Sequence, residues 1–218
     1  MKMNPDKKNK FMEKYAVFCD MVLLACLFIV TCLPILTIGS SVAAYYHSVN
    51  KVLRKGEGYL FQTYMAVWKE NMKQGIVLTL FTLIIGGLGA GSVWLVGVLC
   101  RNGQMDASFL YLRWLVFLPL VLVLPWEFIY LSRFSDSTGT IIKNSFTLGF
   151  ARVGVTFLAD LIIALTIVII LFMIPALPFI LTPLVRLVSR KTEPVLLEVA
   201  KNTGNYNPHA WYGEDPLE

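Results

Sequence analysis

A long apolar run between Tyr15 and Asn50 constrains the fold of this chain more than any other feature. Among acidic, basic and histidine side chains, this run holds only Asp20 and His47. One membrane crossing needs about 20 residues, so the chain has to turn inside the run. Pro34 removes a backbone donor and disfavours helix just before it, while Gly39 tolerates unusual backbone angles. We predict a long arm over 15–33, a break at 33–40 and a short arm over 36–50.

The composition indicates a polytopic membrane protein. Hydrophobic residues make up 56% of the chain and charged residues 15%, and the mean hydropathy is +0.65. A soluble domain of this size carries far more charge. The formal net charge of +5 could suggest nucleic acid, but the basic residues lie between the apolar runs, where they act as orientation signals. We therefore predict the lipid bilayer, and no nucleic acid, as a partner.

Three more apolar stretches complete the predicted architecture. Residues 75–100 contain no charge, a helix is expected over 109–132, and residues 153–185 contain only Asp160 before Arg186. We predict an all-α transmembrane bundle with four long spans and two shorter Pro/Gly-broken segments. Six crossings place every Lys and Arg except Arg101 and Arg113 on the cytoplasmic side. A short arm of about 15 residues rises only about 22 Å, so four or five crossings stay open.

A short internal similarity links the first and the last apolar runs. Leu-Pro-Ile-Leu-Thr-Ile-Gly at 33–39 is similar to Leu-Pro-Phe-Ile-Leu-Thr-Pro at 177–183, which suggests two halves built around Pro-broken hairpins.

We assign residues 1–188 to a single transmembrane domain. Residues 189–218 are expected to form a flexible cytoplasmic tail with at most one short helix at 194–201. Both termini are predicted to lie in the cytoplasm of a bacterial cell, with the chain in its plasma membrane.

Three stretches carry a resemblance to a known family. They are LPILTIGSSVAAYY at 33–46, WKENMKQG at 68–75, and Arg-Phe at 133–134 followed by Lys-Asn-Ser at 143–145. Together they resemble the YesL-like family of bacterial integral membrane proteins, whose molecular function is unknown. Trp68, Met72 and Gly75 depart from its pattern, as in a divergent member. The resemblance and the break together single out these motif residues: Pro34, Thr37, Gly39, Asn71, Lys73, Arg133, Phe134 and Asn144.

The sequence contains no signature of a catalytic, cofactor or metal site. Its four cysteines lie in or beside apolar runs without the paired spacing of zinc ligands, and its two histidines lack nearby partners. The serine-hydrolase elbow, the HExxH metal motif and the phosphate-binding loop are all absent. We expect no enzyme activity, no cofactor and no metal.

Asp20, Glu127 and Asp160 are the candidate intramembrane charges. A charge inside an apolar span costs about 3 kcal/mol or more unless it is paired or hydrated. Three roles remain open: solvation near the cytoplasmic headgroups, an ion pair with a residue such as Arg113 or Arg133, or a proton or substrate role.

Gly87 and Gly91 form a small-residue pair in the charge-free run, at the spacing that permits close helix approach. We expect them to pack against a neighbouring helix of the same chain, with a dimer contact or a pore as alternatives.

Two functional hypotheses follow. The resemblance implies an accessory or scaffolding component linked to carbohydrate uptake, with sugar-importer permease subunits as possible partners. The Pro-broken hairpins would also suit a small secondary transporter or channel that acts by itself.

Overall fold

The computed structural model describes residues 5–103, 106, 109, 118–134, 136–172 and 177–203. Every regular element within these ranges is helical. The helices are α1 (Pro5–Cys32), α2 (Ile38–Ser48), α3 (Leu60–Glu70), α4 (Met72–Arg101), α5 (Leu118–Leu131), α6 (Thr138–Ala151), α7 (Val153–Phe172) and α8 (Leu177–Thr203). A short 3₁₀ turn, Ile35–Thr37, precedes α2, and a π-helical segment, Val49–Arg54, follows it. The predicted all-α class is confirmed.

The first apolar run breaks where the sequence predicts. Helix α1 ends at Cys32, two residues before Pro34, whose extended backbone has φ −76° and ψ 116°. Proline disfavours helical angles in the residue before it, so α1 cannot continue through Leu33. The chain then makes the 3₁₀ turn and enters α2 at Ile38.

Helix α2 packs against α4, α5 and the chain after α5, and its 11 residues rise only about 16 Å. Near its start, Gly39 lies against Gly75 on α4 and against Phe128 on α5. Near its end, His47 Nδ1 donates a hydrogen bond to Ser132 O, 3.1 Å away. The hydrocarbon core of a bilayer is about 30 Å thick, so α2 alone is too short to cross it. The structure thus does not show α2 as a separate antiparallel crossing, and the six-crossing count is not confirmed.

Two helical segments are long and apolar enough to cross a membrane: Tyr15–Cys32 and Met72–Arg101. The number of candidate spans rises to three if Thr138–Ala151 and Val153–Leu165, two helices with a bend of 102° between them, form one broken span. These numbers concern the described residues alone, by length and composition. They support a membrane protein with two or three apolar spans, and four to six crossings remain a prediction.

Large apolar side chains point outward from these segments. The exposed fraction is 61% for Val30 on α1, 71% for Leu88 on α4 and 68% for Phe157 on α7. In water such contiguous apolar surface would favour aggregation, whereas in a bilayer it faces lipid tails. The outward apolar faces therefore agree with the composition.

Helix α8 corrects the break expected at 177–183 and the flexible tail, although the apolar run 153–185 does divide between α7 and α8, and Pro175 lies outside the described residues. This helix runs without interruption from Leu177 to Thr203, with Pro183 and Pro194 inside it. It buries Leu196 and Ala200 in the core, and this packing outweighs the two missing backbone donors. The prediction of a flexible chain is wrong for residues 189–203. Residues 204–218 and Arg113 lie outside the described part of the chain.

Candidate functional site

The break before α2 is repaired by the side chain of Thr37. Its hydroxyl lies 2.6 Å from Thr31 O and 2.8 Å from Pro34 O, two carbonyls at the break between α1 and α2. The backbone N–H of Thr37 also donates to Pro34 O, at 3.0 Å. An unsatisfied peptide group in an apolar medium costs several kcal/mol, so this one residue closes the gap between two helices.

Further hydroxyl groups extend this repair into a buried polar cluster, which we call the junction: Thr31, Thr37, Ser40, Ser41, Tyr64 and Thr79. The hydroxyls of Ser40 and Ser41 each donate to Thr37 O at 2.9 Å. The Tyr64 hydroxyl, on α3, lies 2.6 Å from the Thr31 hydroxyl. Burial raises the pKa of Tyr64 to about 12, so its hydroxyl remains protonated at neutral pH. The junction thus links α1, α2 and α3.

Helix α4 completes the junction through Thr79 and Gly75. The backbone N–H of Gly39 donates to Thr79 Oγ1 at 3.0 Å, and that hydroxyl donates to Gly75 O at 2.7 Å. A Cβ built on Gly39 would lie 2.6 Å from Thr79 Oγ1 and 2.8 Å from Gly75 O. Gly39 is therefore needed for close helix approach. Gly39 does not use the unusual backbone angles that glycine tolerates, because the positive-φ glycines of the described chain lie elsewhere.

A second buried cluster, which we call the ion-pair cluster, joins α2 to α8 and to the chain after α5. Arg133 forms a salt bridge with Glu193, and both side chains are 1% exposed. The Tyr46 hydroxyl donates to Glu193 Oε1 at 2.9 Å and also lies 2.9 Å from Thr192 Oγ1. The partner suggested for Arg133 from the sequence, Glu127, is wrong.

The sequence does not indicate Glu193 as the partner of Arg133, because a flexible tail is expected from residue 189 onward. Glu193 precedes a proline in a region of mixed composition, and nothing local indicates burial. Tyr46 lies in the motif at 33–46, but the motif alone does not indicate that its hydroxyl donates to Glu193. Thr79 and Thr82 are polar residues within the charge-free run, and they are the sequence feature that indicates polar contacts along α4.

The three candidate intramembrane acids occupy different surroundings. Glu127 is 1% exposed and accepts a hydrogen bond from the Thr82 hydroxyl, so solvation near the headgroups is wrong for it. Asp160 is half-buried, and its Oδ2 has no hydrogen-bond partner in the described part of the protein. Asp20 is half-buried on α1. No contact between any two of these acids is found within the described ranges.

The residues of the second motif stretch lie between α3 and α4. Asn71 separates the two helices, is buried, and donates through Nδ2 to Val67 O at 2.9 Å. Gln74 Nε2 donates to Asp136 O at 2.9 Å and so ties this stretch to the loop after α5. The Lys73 side chain is exposed.

The residues of the third motif stretch support the end of α5. The Phe134 ring is buried and lies 4.4 Å from the Tyr130 ring, centroid to centroid. Asn144 Nδ2 donates to the Tyr130 hydroxyl at 2.8 Å, and that hydroxyl donates to Asp136 Oδ2 at 2.7 Å. Asn144 and Phe134 thus both contact Tyr130, the first through its hydroxyl and the second through its ring.

The expected packing of Gly87 and Gly91 inside the chain is not found. Both glycines are exposed, and a Cβ built on either meets no described atom within 4 Å. Close approaches occur instead at Gly39, Gly75 and Gly149, the last against Leu122 O. The spacing of small residues was a valid signal for close approach, but it did not identify which glycines are used.

No site for a metal can be assembled from the described part of the chain, where no three His, Cys, Asp or Glu side chains group together. The four cysteines are free thiols. The chemistry that the described clusters can perform is hydrogen bonding and ion pairing between helices.

Comparison with known proteins gives one finding, over the first third of the chain. Residues 21–91 match a family described as "Protein of unknown function, DUF624". The matched segment contains the break, the junction and two of the three motif stretches, while the third stretch lies outside it. No curated protein and no solved structure matches the chain.

Proposed function

We propose that this protein is a non-catalytic membrane scaffold, an accessory component of a transport system. The observation that carries the proposal is the junction, in which Thr37, Gly39 and Thr79 satisfy backbone groups at the break. A binding site keeps some polar groups free for its ligand, whereas these groups are occupied by the protein itself. The junction therefore suits a part that holds four helices in fixed positions.

The outward face of α4 supports a partner inside the membrane. Gly87 and Gly91 are exposed there, with Leu88 and Trp94 each 71% exposed. Small residues allow another helix to approach closely, and the large apolar side chains beside them can pack around it. We propose that a helix of the transport partner binds this face.

The link to carbohydrate uptake rests on the motif resemblance alone. It identifies sugar-importer permease subunits as the partners to be tested. Affinity purification of this protein from its native membranes, followed by mass spectrometry, should recover such subunits. Recovery of no transport subunit above the level of an unrelated tagged membrane protein would contradict the scaffold proposal.

Two variants on α4 sharpen this experiment. Gly91→Leu adds bulk where no described atom lies within 4 Å, so it should reduce the recovered partner without unfolding the protein. Ile85→Phe is the control, because Ile85 is also exposed but lies about 120° around the helix from Gly91 and on the side opposite to Trp94. Equal recovery with both variants would place the contact elsewhere.

A second candidate function, transport by this protein itself, is favoured by Glu127. This carboxyl group is buried on an apolar helix and has one described hydrogen bond, from Thr82. Buried intramembrane carboxyl groups are common in proton-coupled transporters. Liposomes that contain the purified protein alone would show sugar or proton flux, and Glu127→Gln would abolish it. Absence of flux with a well-folded protein would leave the scaffold role.

A further inference from the structure

Arg186 on α8 holds the end of the π-helical segment. Its Nη2 donates to Leu53 O at 2.7 Å. This bond places the guanidinium group beside Arg54, the residue that follows in the chain and ends the segment. Arg190 lies one helical turn after Arg186, on the same face of α8. Three guanidinium groups from two elements are thus directed to one region.

Within the described part of the chain, no counter-charge to the three arginines is found. No described carboxylate lies within 4.0 Å of Arg54, Arg186 or Arg190. The Nε atom of Arg186 is buried and has no hydrogen-bond partner among the described residues. Burial, and then the positive charges of Arg54 and Arg190, lower the pKa of Arg186. Three neighbouring positive charges repel one another, and an anion bound beside them would relieve that repulsion.

The surface beside these arginines is apolar. On α8, Pro183 and Leu187 are exposed and precede Arg190 by seven and three residues, so they form one stripe with it. Leu187 is 48% exposed. A phospholipid matches both parts of this surface, since its phosphate can face the arginines while an acyl chain lies along Pro183 and Leu187. A free phosphate ion would make no use of the apolar part.

We propose that Arg54, Arg186 and Arg190 form a binding site for the phosphate headgroup of an anionic phospholipid. The guanidinium groups of Arg54 and Arg190 contact the phosphate, and Arg186, held by Leu53 O and with its Nε covered by the protein, adds its positive charge behind them. The site is independent of any transport partner, so it stands whether or not the scaffold role is correct.

Native mass spectrometry of the full chain in detergent tests this site. The purified protein is offered equal amounts of phosphatidylglycerol and phosphatidylcholine, and the bound lipids are counted. Wild type should retain phosphatidylglycerol preferentially. The double variant Arg54→Gln/Arg190→Gln keeps the bond between Arg186 and Leu53, and it should lower that preference about 20-fold. Arg54→Gln alone should lower it about fivefold.

A matched control removes the same charge elsewhere. Lys69→Gln/Lys143→Gln changes two exposed lysines on α3 and α6 and should alter the preference by less than about twofold. An equal loss in the control, or equal retention of the two lipids by wild type, would overturn the proposal. Displacement of phosphatidylglycerol by inorganic phosphate would also overturn it, because the ligand would then be the ion.

Discussion

Gly75 on α4 lies directly against the backbone of Ser40 on α2. A Cβ atom built on Gly75 would lie 2.6 Å from Ser40 N and 2.9 Å from Ser40 Cα. Backbone atoms cannot rotate aside as a flexible side chain does, so any side chain at residue 75 has to push the two helices apart. This contact sets the distance at which Thr79 receives the Gly39 N–H.

We expect Gly75→Ala to destabilise the protein by about 1–3 kcal/mol, the usual cost of overpacking a tight contact. Gly87→Ala is the control, because residue 87 is exposed on the same helix and meets no described atom within 4 Å. Alanine favours helix over glycine, so the control should keep or raise stability. Thermal unfolding in detergent measures both. Equal melting temperatures for the two variants would show that Gly75 and Ser40 are not in contact.

Thr37→Val tests the repair of the break. The variant keeps the shape of the side chain but deletes the hydroxyl donor of Thr31 O, at a cost of about 1–3 kcal/mol, while Pro34 O keeps the Thr37 N–H. Thr147→Val is the control, since Thr147 is exposed and its hydroxyl donates to a carbonyl of its own helix. We expect a lower melting temperature for Thr37→Val only. If cells with a well-folded Thr37→Val protein at normal abundance instead failed to grow on a sugar that needs the wild-type protein, the polar groups of the junction would serve a ligand.

The end of α1 could be predicted from the sequence. Pro34 acts through local sterics, which no packing can remove, and the structure shows α1 ending at Cys32. The reason for glycine at 39 could not be predicted in the same way. It depends on Gly75, 36 residues later in the chain, and contacts at that separation leave no local pattern.

Helix α8 shows where local rules fail. Pro183 and Pro194 are both helix breakers by propensity, yet the helix continues through both. The burial of Leu196 and Ala200 and the bonds from Tyr46 to Thr192 and Glu193 stabilise it. These are tertiary interactions, so composition alone suggested a flexible tail where the structure has a buried ion pair.

The basic residues predict an orientation in the membrane, and single cysteines can test it. In a background without the four native cysteines, Glu57→Cys and Lys143→Cys should resist an impermeant thiol reagent added to whole cells. Asn102→Cys, at the far end of α4, should react. All three positions are exposed, so the result depends on the side of the membrane. Labelling of residue 57 from outside would reverse the predicted topology.

The salt bridge between Arg133 and Glu193 is the strongest candidate for a large stability effect. Both side chains are buried, so removing one partner leaves a charge without compensation. We expect Arg133→Met to destabilise the protein by about 3–5 kcal/mol. Glu193→Leu should do the same, and it also removes the acceptor of Tyr46.

The double variant Arg133→Met/Glu193→Leu separates an isolated-charge effect from a packing effect. It removes both charges together, so it should recover most of the stability that either single change loses. The exposed pair of Arg152 and Glu198 provides the matched control in the same protein, and the corresponding cycle there should give a coupling of about 1 kcal/mol or less. Melting temperatures of the four proteins in each cycle give the two coupling energies. If the coupling between Arg133 and Glu193 were no larger than that of the exposed pair, the buried salt bridge would not stabilise the link between α8 and the end of α5.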